Sequence, residues 1–209
     1  MQIGGFVKQS LIDYPGLVAA VVFTQGCNFR CGYCHNPGLV LPGLFEKKST
    51  YPVKKMLDYL KERAGWLDGV VVTGGEPTIH HDLPEFLRTL KEIGYRVKLD
   101  TNGSHPFMLK HILKEKLADY IAMDIKTVLK EEQYSEITGL PGMDKIMEDI
   151  YTSFSILKKA EIEVEFRTTV IPGVHNDKML TCIKNEVGKE FRYILNAFRE
   201  GETISSFYT

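Results

Sequence analysis

Short apolar runs recur along this chain, and stretches with helical spacing separate them. Leu17 to Thr24, Gly69 to Thr73, Tyr95 to Asp100, Tyr120 to Asp124, Ile162 to Val170 and Phe191 to Leu195 read as strands. Between them, 53–64, 83–93, 106–116, 143–159 and 177–187 carry apolar residues on one helical face; Ile146, Ile150, Phe154 and Leu157 mark the longest. Continuous apolar strands alternating with helices dictate a parallel sheet with helices packed outside it, joined by right-handed crossovers. Six such units are too few for an eight-fold barrel, so the fold class expected is α/β, an incomplete and open (β/α)6 barrel. The whole chain, 1–209, reads as one domain: an N-terminal arm over 1–16, ending in a turn at Pro15-Gly16, the partial barrel over 17–195 and a C-terminal tail over 196–209. The passage from Pro37 to Pro52 reads as irregular.

In parallel α/β folds ligands bind at the carboxyl ends of the strands. Here those ends carry chemistry. The first runs into Gln25-Gly26 and three cysteines, Cys27, Cys31 and Cys34, spaced C-x3-C-x2-C. The second ends in Gly74-Gly75-Glu76-Pro77, the third in Asp100-Thr101-Asn102-Gly103, and the fourth in Asp124-Ile125-Lys126. The fifth carries Arg167 and ends in Ile171-Pro172-Gly173. Three thiolates on one loop can converge on one inorganic centre, and three is fewer than a closed zinc site or an ordinary ferredoxin cubane takes. A four-iron cluster held by three cysteines keeps one iron open. Zinc held with His35 is the alternative; disulfides would leave one cysteine unpaired. At Gly74-Gly75 the missing side chains let backbone approach a ligand, while Glu76 adds negative charge; a tight turn with a capping Glu is the plain alternative.

The run C-x3-C-x-Tyr-C resembles the signature of the radical S-adenosylmethionine enzymes. The wider stretch from Gln9 to Asn36, with Asp13-Tyr14-Pro15-Gly16 before the strand and Tyr33-Cys34-His35-Asn36 closing the loop, is similar to the glycyl-radical-enzyme activases, and among them the group that activates anaerobic ribonucleotide reductase. The likeness extends to about Arg167. It implies a [4Fe-4S] cluster on Cys27, Cys31 and Cys34, with S-adenosylmethionine chelating the open iron. It implies that Gly74, Gly75 and Glu76 meet the amino group of the methionine moiety, that Asp100 meets that group or a nearby cation, and that Lys126 pairs with the carboxylate. Asp124 belongs to the same D-x-K element. A monovalent cation near Asp100, Thr101 and Asp124 is implied, as is an Arg167 that neutralises negative charge; for Arg167 a surface salt bridge is the alternative. Backbone at Tyr33, Cys34 and His35 is implied to meet the adenine. The implied partners are a glycyl radical enzyme, with anaerobic ribonucleotide reductase the foremost, and a reduced flavodoxin or ferredoxin-type electron donor. Two alternatives stand beside this: a small-molecule radical enzyme similar to 7-carboxy-7-deazaguanine synthase, favoured if the tail closes a substrate pocket, and a metal-binding module without catalysis.

A net charge of −1 gives no electrostatic reason to expect nucleic acid or membrane partners. Neither a membrane-length apolar run nor an N-terminal signal pattern is present, which fits the cytoplasm, where thiols stay reduced. Outside the motifs, Cys182 reads as a small buried hydrophobe and Trp66 as packing. His80-His81 reads as a solvated loop pair, and Lys110 to Glu115 as a solvated helix face.

Overall fold

The computed structural model describes residues 1–45, 51–140 and 144–207. Its core is a seven-stranded sheet in sequential order: β1 (Ile3–Ser10), β2 (Ala19–Thr24), β3 (Gly69–Gly74), β4 (Arg96–Thr101), β5 (Tyr120–Asp124), β6 (Glu163–Val170) and β7 (Arg192–Ala197). The arm expected over 1–16 supplies β1, which pairs antiparallel with β2; every later pairing is parallel. With β1 and β7 at its two edges the sheet does not close, as the count of six strand–helix units requires.

The helices are α1 (Pro37–Val40), α2 (Val53–Glu62), α3 (Leu83–Ile93), α4 (Pro106–Lys114), α5 (Glu131–Thr138), α6 (Asp144–Leu157) and α7 (Asp177–Val187). The bounds expected for α3 and α7 hold. Met143, expected to open α6, lies outside the described residues, as do 46–50 of the passage expected to be irregular. The described part of that passage contains α1 and a 3-10 turn over Pro42–Leu44. A helix not anticipated at all is α5.

Strand periodicity explains both layers. Val70, Val72, Val97, Leu99, Ile121, Met123 and Phe166 face the helices and form the main core. The alternate residues face inward. Low in the barrel these are small or aromatic (Ala19, Val21, Val71, Ala122, Tyr120), and Tyr14 plugs the floor with its ring edge-on to Tyr120 at 5.7 Å. The same inward parity places Lys98 level with Tyr120, Asp100 and Glu165 level with Ala122, and Asp124 and Arg167 above them toward the strands' carboxyl ends.

Two expectations fail. Trp66 is 79% exposed in the turn between α2 and β3. Cys182 is exposed on α7, because Ile183 and Val187, four apart, form that helix's buried stripe and Cys182 stands off it. The histidine pair splits: His81 is exposed, while His80 is half-buried.

Candidate active site

The cysteine loop is held from several sides by backbone hydrogen bonds. Gly26 N–H donates to Leu39 O (2.7 Å), Arg30 N–H to Thr138 O (2.8 Å) and Cys34 N–H to Cys31 O (3.0 Å). The Arg30 guanidinium bonds back to the carbonyls of Cys27 (2.7 Å) and Phe29 (2.8 Å). Thr138 ends α5, so the unanticipated helix is one of the loop's supports. Asn28, between the first two cysteines, donates to Ser104 Oγ (2.8 Å) and accepts from Asn102 Nδ2 (3.0 Å), tying the loop to the end of β4.

The GGEP stretch meets this loop directly. A Cβ at Gly74 would lie 2.3 Å from Thr24 N, and one at Gly75 would lie 2.0 Å from Gly26 O. Gly74 also has φ of +121°. The close approach these glycines permit is that of β3's end to β2's end. Glu76 is buried, and donors surround its carboxylate. Oε1 accepts from Thr78 N (3.1 Å), the Thr78 hydroxyl and Thr101 Oγ1 (2.8 Å); Oε2 accepts from Asn102 N (2.6 Å). Burial raises its pKa while these donors pull it down. The capping role weighed from sequence is thus present, and it locks β3's end to β4's. In Glu76→Gln an amide N–H would face a backbone N–H. The expected cost is about 2 kcal/mol, read as a lower urea midpoint; an unchanged midpoint would contradict this assignment.

A chain of charges crosses the inner face. Lys98 Nζ donates to Asp100 Oδ1 (2.7 Å), and Arg167 spans Asp100 Oδ2 (3.1 Å) and Asp124 Oδ1 (2.9 Å). Lys126 Nζ donates to Asp124 Oδ2 (2.9 Å). Tyr120 OH donates to Glu165 (2.6 Å), whose carboxylate lies 4.0 Å from Arg167. Arg167 is therefore part of a largely buried network, not a surface pair. Both oxygens of Asp100 and of Asp124 are paired with protein cations. Burial alone would raise the Asp124 pKa, but Arg167 and Lys126 outweigh it and hold the carboxyl well below the usual range. Burial likewise opposes the Lys126 charge, and Asp124 overcomes it, holding the ammonium well above its ordinary value.

A depressed folded pKa gives stability that is complete above the unfolded value, about 3.9, and lost as pH falls through the folded value. Acidification from about pH 6 to about pH 3 should therefore destabilise the wild type more than Asp124→Asn in urea titrations. Equal losses would remove Asp124 from the acid response.

All the residues singled out from sequence line one cavity of about 260 Å³: Cys27, Cys31, Cys34, Tyr33, His35, Gly74, Gly75, Glu76, Asp100, Thr101, Asp124, Lys126 and Arg167. Phe29, Asn36, Val40, Thr73, Asn102, Thr169 and Ile204 complete it. His35 is exposed, and its ring stacks on Phe198 at 5.0 Å. Burial pushes the Cys27 thiol up to about 12, with Glu76 adding to the rise, and raises Cys31 too. Thiolates here call for a cationic partner inside the cavity, which iron would be. Among the described residues no three His, Cys, Asp or Glu side chains gather tightly enough for one ion.

Comparison with known proteins decides the family. The model of the radical SAM superfamily matches residues 21–184. The chain belongs to the radical SAM superfamily. That membership implies a [4Fe-4S] cluster and S-adenosylmethionine, and the three cysteines at the head of the cavity fit it. This radical SAM chain is 35% identical over 201 residues to a Methanocaldococcus jannaschii protein named "Putative glycyl-radical enzyme activating enzyme", covering 94% of this chain and 79% of that one. It is 32% identical over 143 residues to a "Probable GTP 3',8-cyclase" of Saccharolobus islandicus, covering 65% of this chain but only 43% of the cyclase. The fold matches that of Streptococcus suis SuiB bound to S-adenosylmethionine with TM-score 0.63 and 16% identity, over 88% of this chain and 43% of that one. Among the described residues no helix is long and apolar enough to cross a membrane.

Proposed function

We propose that this radical SAM chain is a glycyl-radical-enzyme activating enzyme, with anaerobic ribonucleoside-triphosphate reductase as its partner. The observation that carries the activase reading is the 35% identity, over nearly the whole chain, to a protein named as a putative glycyl-radical enzyme activating enzyme; the choice of reductase rests on the resemblance of the stretch from Gln9 to Asn36. The cluster and S-adenosylmethionine, when bound, supply the one-electron chemistry: sulfonium cleavage to methionine and a 5′-deoxyadenosyl radical, which takes a hydrogen atom from a glycine Cα of the partner. A reduced flavodoxin or ferredoxin-type protein of the cytoplasm is the electron source in this reading.

The chain's own residues bind and orient. Cys27, Cys31 and Cys34 would hold the cluster. Lys126 gives one N–H to Asp124 and retains others for the ligand's carboxylate. Asp100 and Asp124, fixed by Arg167, shape the charge around the amino-acid end. Carbonyls at Gly74 and Gly75 are candidates for its ammonium group. Asp100, Thr101 and Asp124 are the candidates for a monovalent cation.

A second reading has its own support. Ile204, beyond β7, closes part of the cavity, and cyclases of small substrates are among the relatives. The test is anaerobic incubation of the reconstituted chain with S-adenosylmethionine, dithionite and the reductase. A glycyl radical doublet in the partner's electron paramagnetic resonance spectrum is expected. Turnover of a small metabolite with no radical on the partner would favour the second reading.

A further inference from the structure

A second cleft, of about 650 Å³, lies beside the cysteine cavity, and Tyr33 lines both. Its walls come from separate stretches of chain: Thr127 after β5, helix α5, the loop between β6 and α7, and the segment after β7. The backbone around Thr127 is firmly held. Lys126 N–H donates to the Tyr134 hydroxyl (3.0 Å), and Thr168 Oγ1 donates to Ile125 O (2.7 Å). His175 accepts from Ile171 N–H at Nδ1 (3.0 Å), so its Nε2 carries the proton and donates to Lys126 O (2.9 Å).

Against that order, two side-chain oxygens of the cleft's lining residues are left over. Thr127 is 1% exposed, and its Oγ1 is buried with no hydrogen-bond partner among the described residues. Gln133 Oε1, on α5, is buried and unpartnered in the same way. A buried oxygen without a partner costs the folded protein free energy, so two at one cleft call for an explanation. Function is one reason a protein keeps such a cost.

The other lining residues define what would supply the partners. Ile137, Ile171, Val174, Met179 and Phe198 are apolar, and Glu136 is the one charged residue among those described. A phosphate or carboxylate would therefore meet no cation. A hydroxyl that gives or takes a hydrogen bond, an amide oxygen that accepts one and an apolar wall suit a neutral chain of amides with apolar side chains. A peptide in extended form is such a chain, because its N–H and C=O groups are not consumed by a helix.

We propose that this cleft docks an extended peptide segment of the partner protein, with its amides meeting Thr127 and Gln133 and an apolar side chain packed on the cleft wall. The partner's identity rests on the activase reading; the chemistry of the cleft does not. Docking here would hold the partner next to the cysteine cavity, across Tyr33.

The test uses anaerobically reconstituted holoenzyme and the full-length anaerobic ribonucleoside-triphosphate reductase. Radical formation on the reductase is followed against reductase concentration for wild type, Thr127→Val and Thr127→Ser, with urea midpoints measured for each. Thr127→Val should raise the KM for the reductase about tenfold, while Thr127→Ser, which keeps the hydroxyl, stays close to wild type. The Thr127→Val midpoint should equal or exceed the wild type's, since the hydroxyl it removes has no internal partner. Amide hydrogen exchange over residues 171–179 should slow several-fold when the reductase is added. An unchanged KM in Thr127→Val, a lowered midpoint, or exchange indifferent to the reductase would each overturn the inference while leaving the activase reading intact. A wild-type holoenzyme that forms no glycyl radical on the reductase would overturn that reading and this inference with it.

Discussion

Arg167→Met is expected to destabilise the protein by about 3 kcal/mol, the low end of what removing one partner of a buried ion pair costs. Methionine fills much of the space but leaves Asp100 and Asp124 facing each other across the inner barrel, each short of one cationic partner. The low end applies because the Asp124 side chain is 33% exposed, so solvent screens it. Arg167→Lys should recover little, since a single ammonium does not reproduce the fork that spans two carboxylates on neighbouring strands. Urea midpoints at neutral pH measure both. If Arg167→Met leaves the midpoint unchanged, the network does not hold the rim together.

Gly75→Ala is expected to cost about 3 kcal/mol and to lower the iron bound on reconstitution, because the added methyl would strike the Gly26 carbonyl at the head of the cysteine loop. Backbone on both sides cannot rotate away as a side chain would. The strain therefore separates the ends of β2 and β3 and displaces Cys27, the next residue along. Gly38→Ala is the matching control, since nothing lies within 4 Å of a Cβ there. Iron-to-protein ratios after reconstitution check the prediction. Equal ratios for the two variants would show that the loop tolerates the separation.

The fold was legible because the strands are apolar on both faces and the helices between them are amphipathic; α3 and α7 fall where the periodicity puts them. Helix α5 is not legible in the sequence for a physical reason. Its sequence, Glu131–Thr138, has few apolar residues, chiefly Tyr134 and Ile137, and its acidic first turn suits a helix N-terminus without advertising a core face. That helix nonetheless anchors the cysteine loop through Thr138 and meets the D-x-K element through Tyr134, whose hydroxyl accepts from Lys126 N–H (3.0 Å).

The polar residues at the strand ends pointed to one rim, and one cavity gathers them. Their pairwise roles were not readable. Glu76 looked like charge offered to a ligand, and its oxygens are occupied by Thr78, Thr101 and Asn102. Lys98 carried a signal that went unused: a lysine in the middle of an apolar parallel strand needs a buried partner, and it has Asp100. Asn28 and Ile204 carried none, because their roles depend on contacts 74 or more residues away in the chain.

The proposed function requires an open-iron site, which Cys27, Cys31 and Cys34 would hold. Its most direct measurement is electron paramagnetic resonance of the anaerobically reconstituted, reduced protein, recorded with and without S-adenosylmethionine. A reduced four-iron signal that changes when S-adenosylmethionine is added is the predicted result. No cluster signal, or one indifferent to S-adenosylmethionine, would contradict the account.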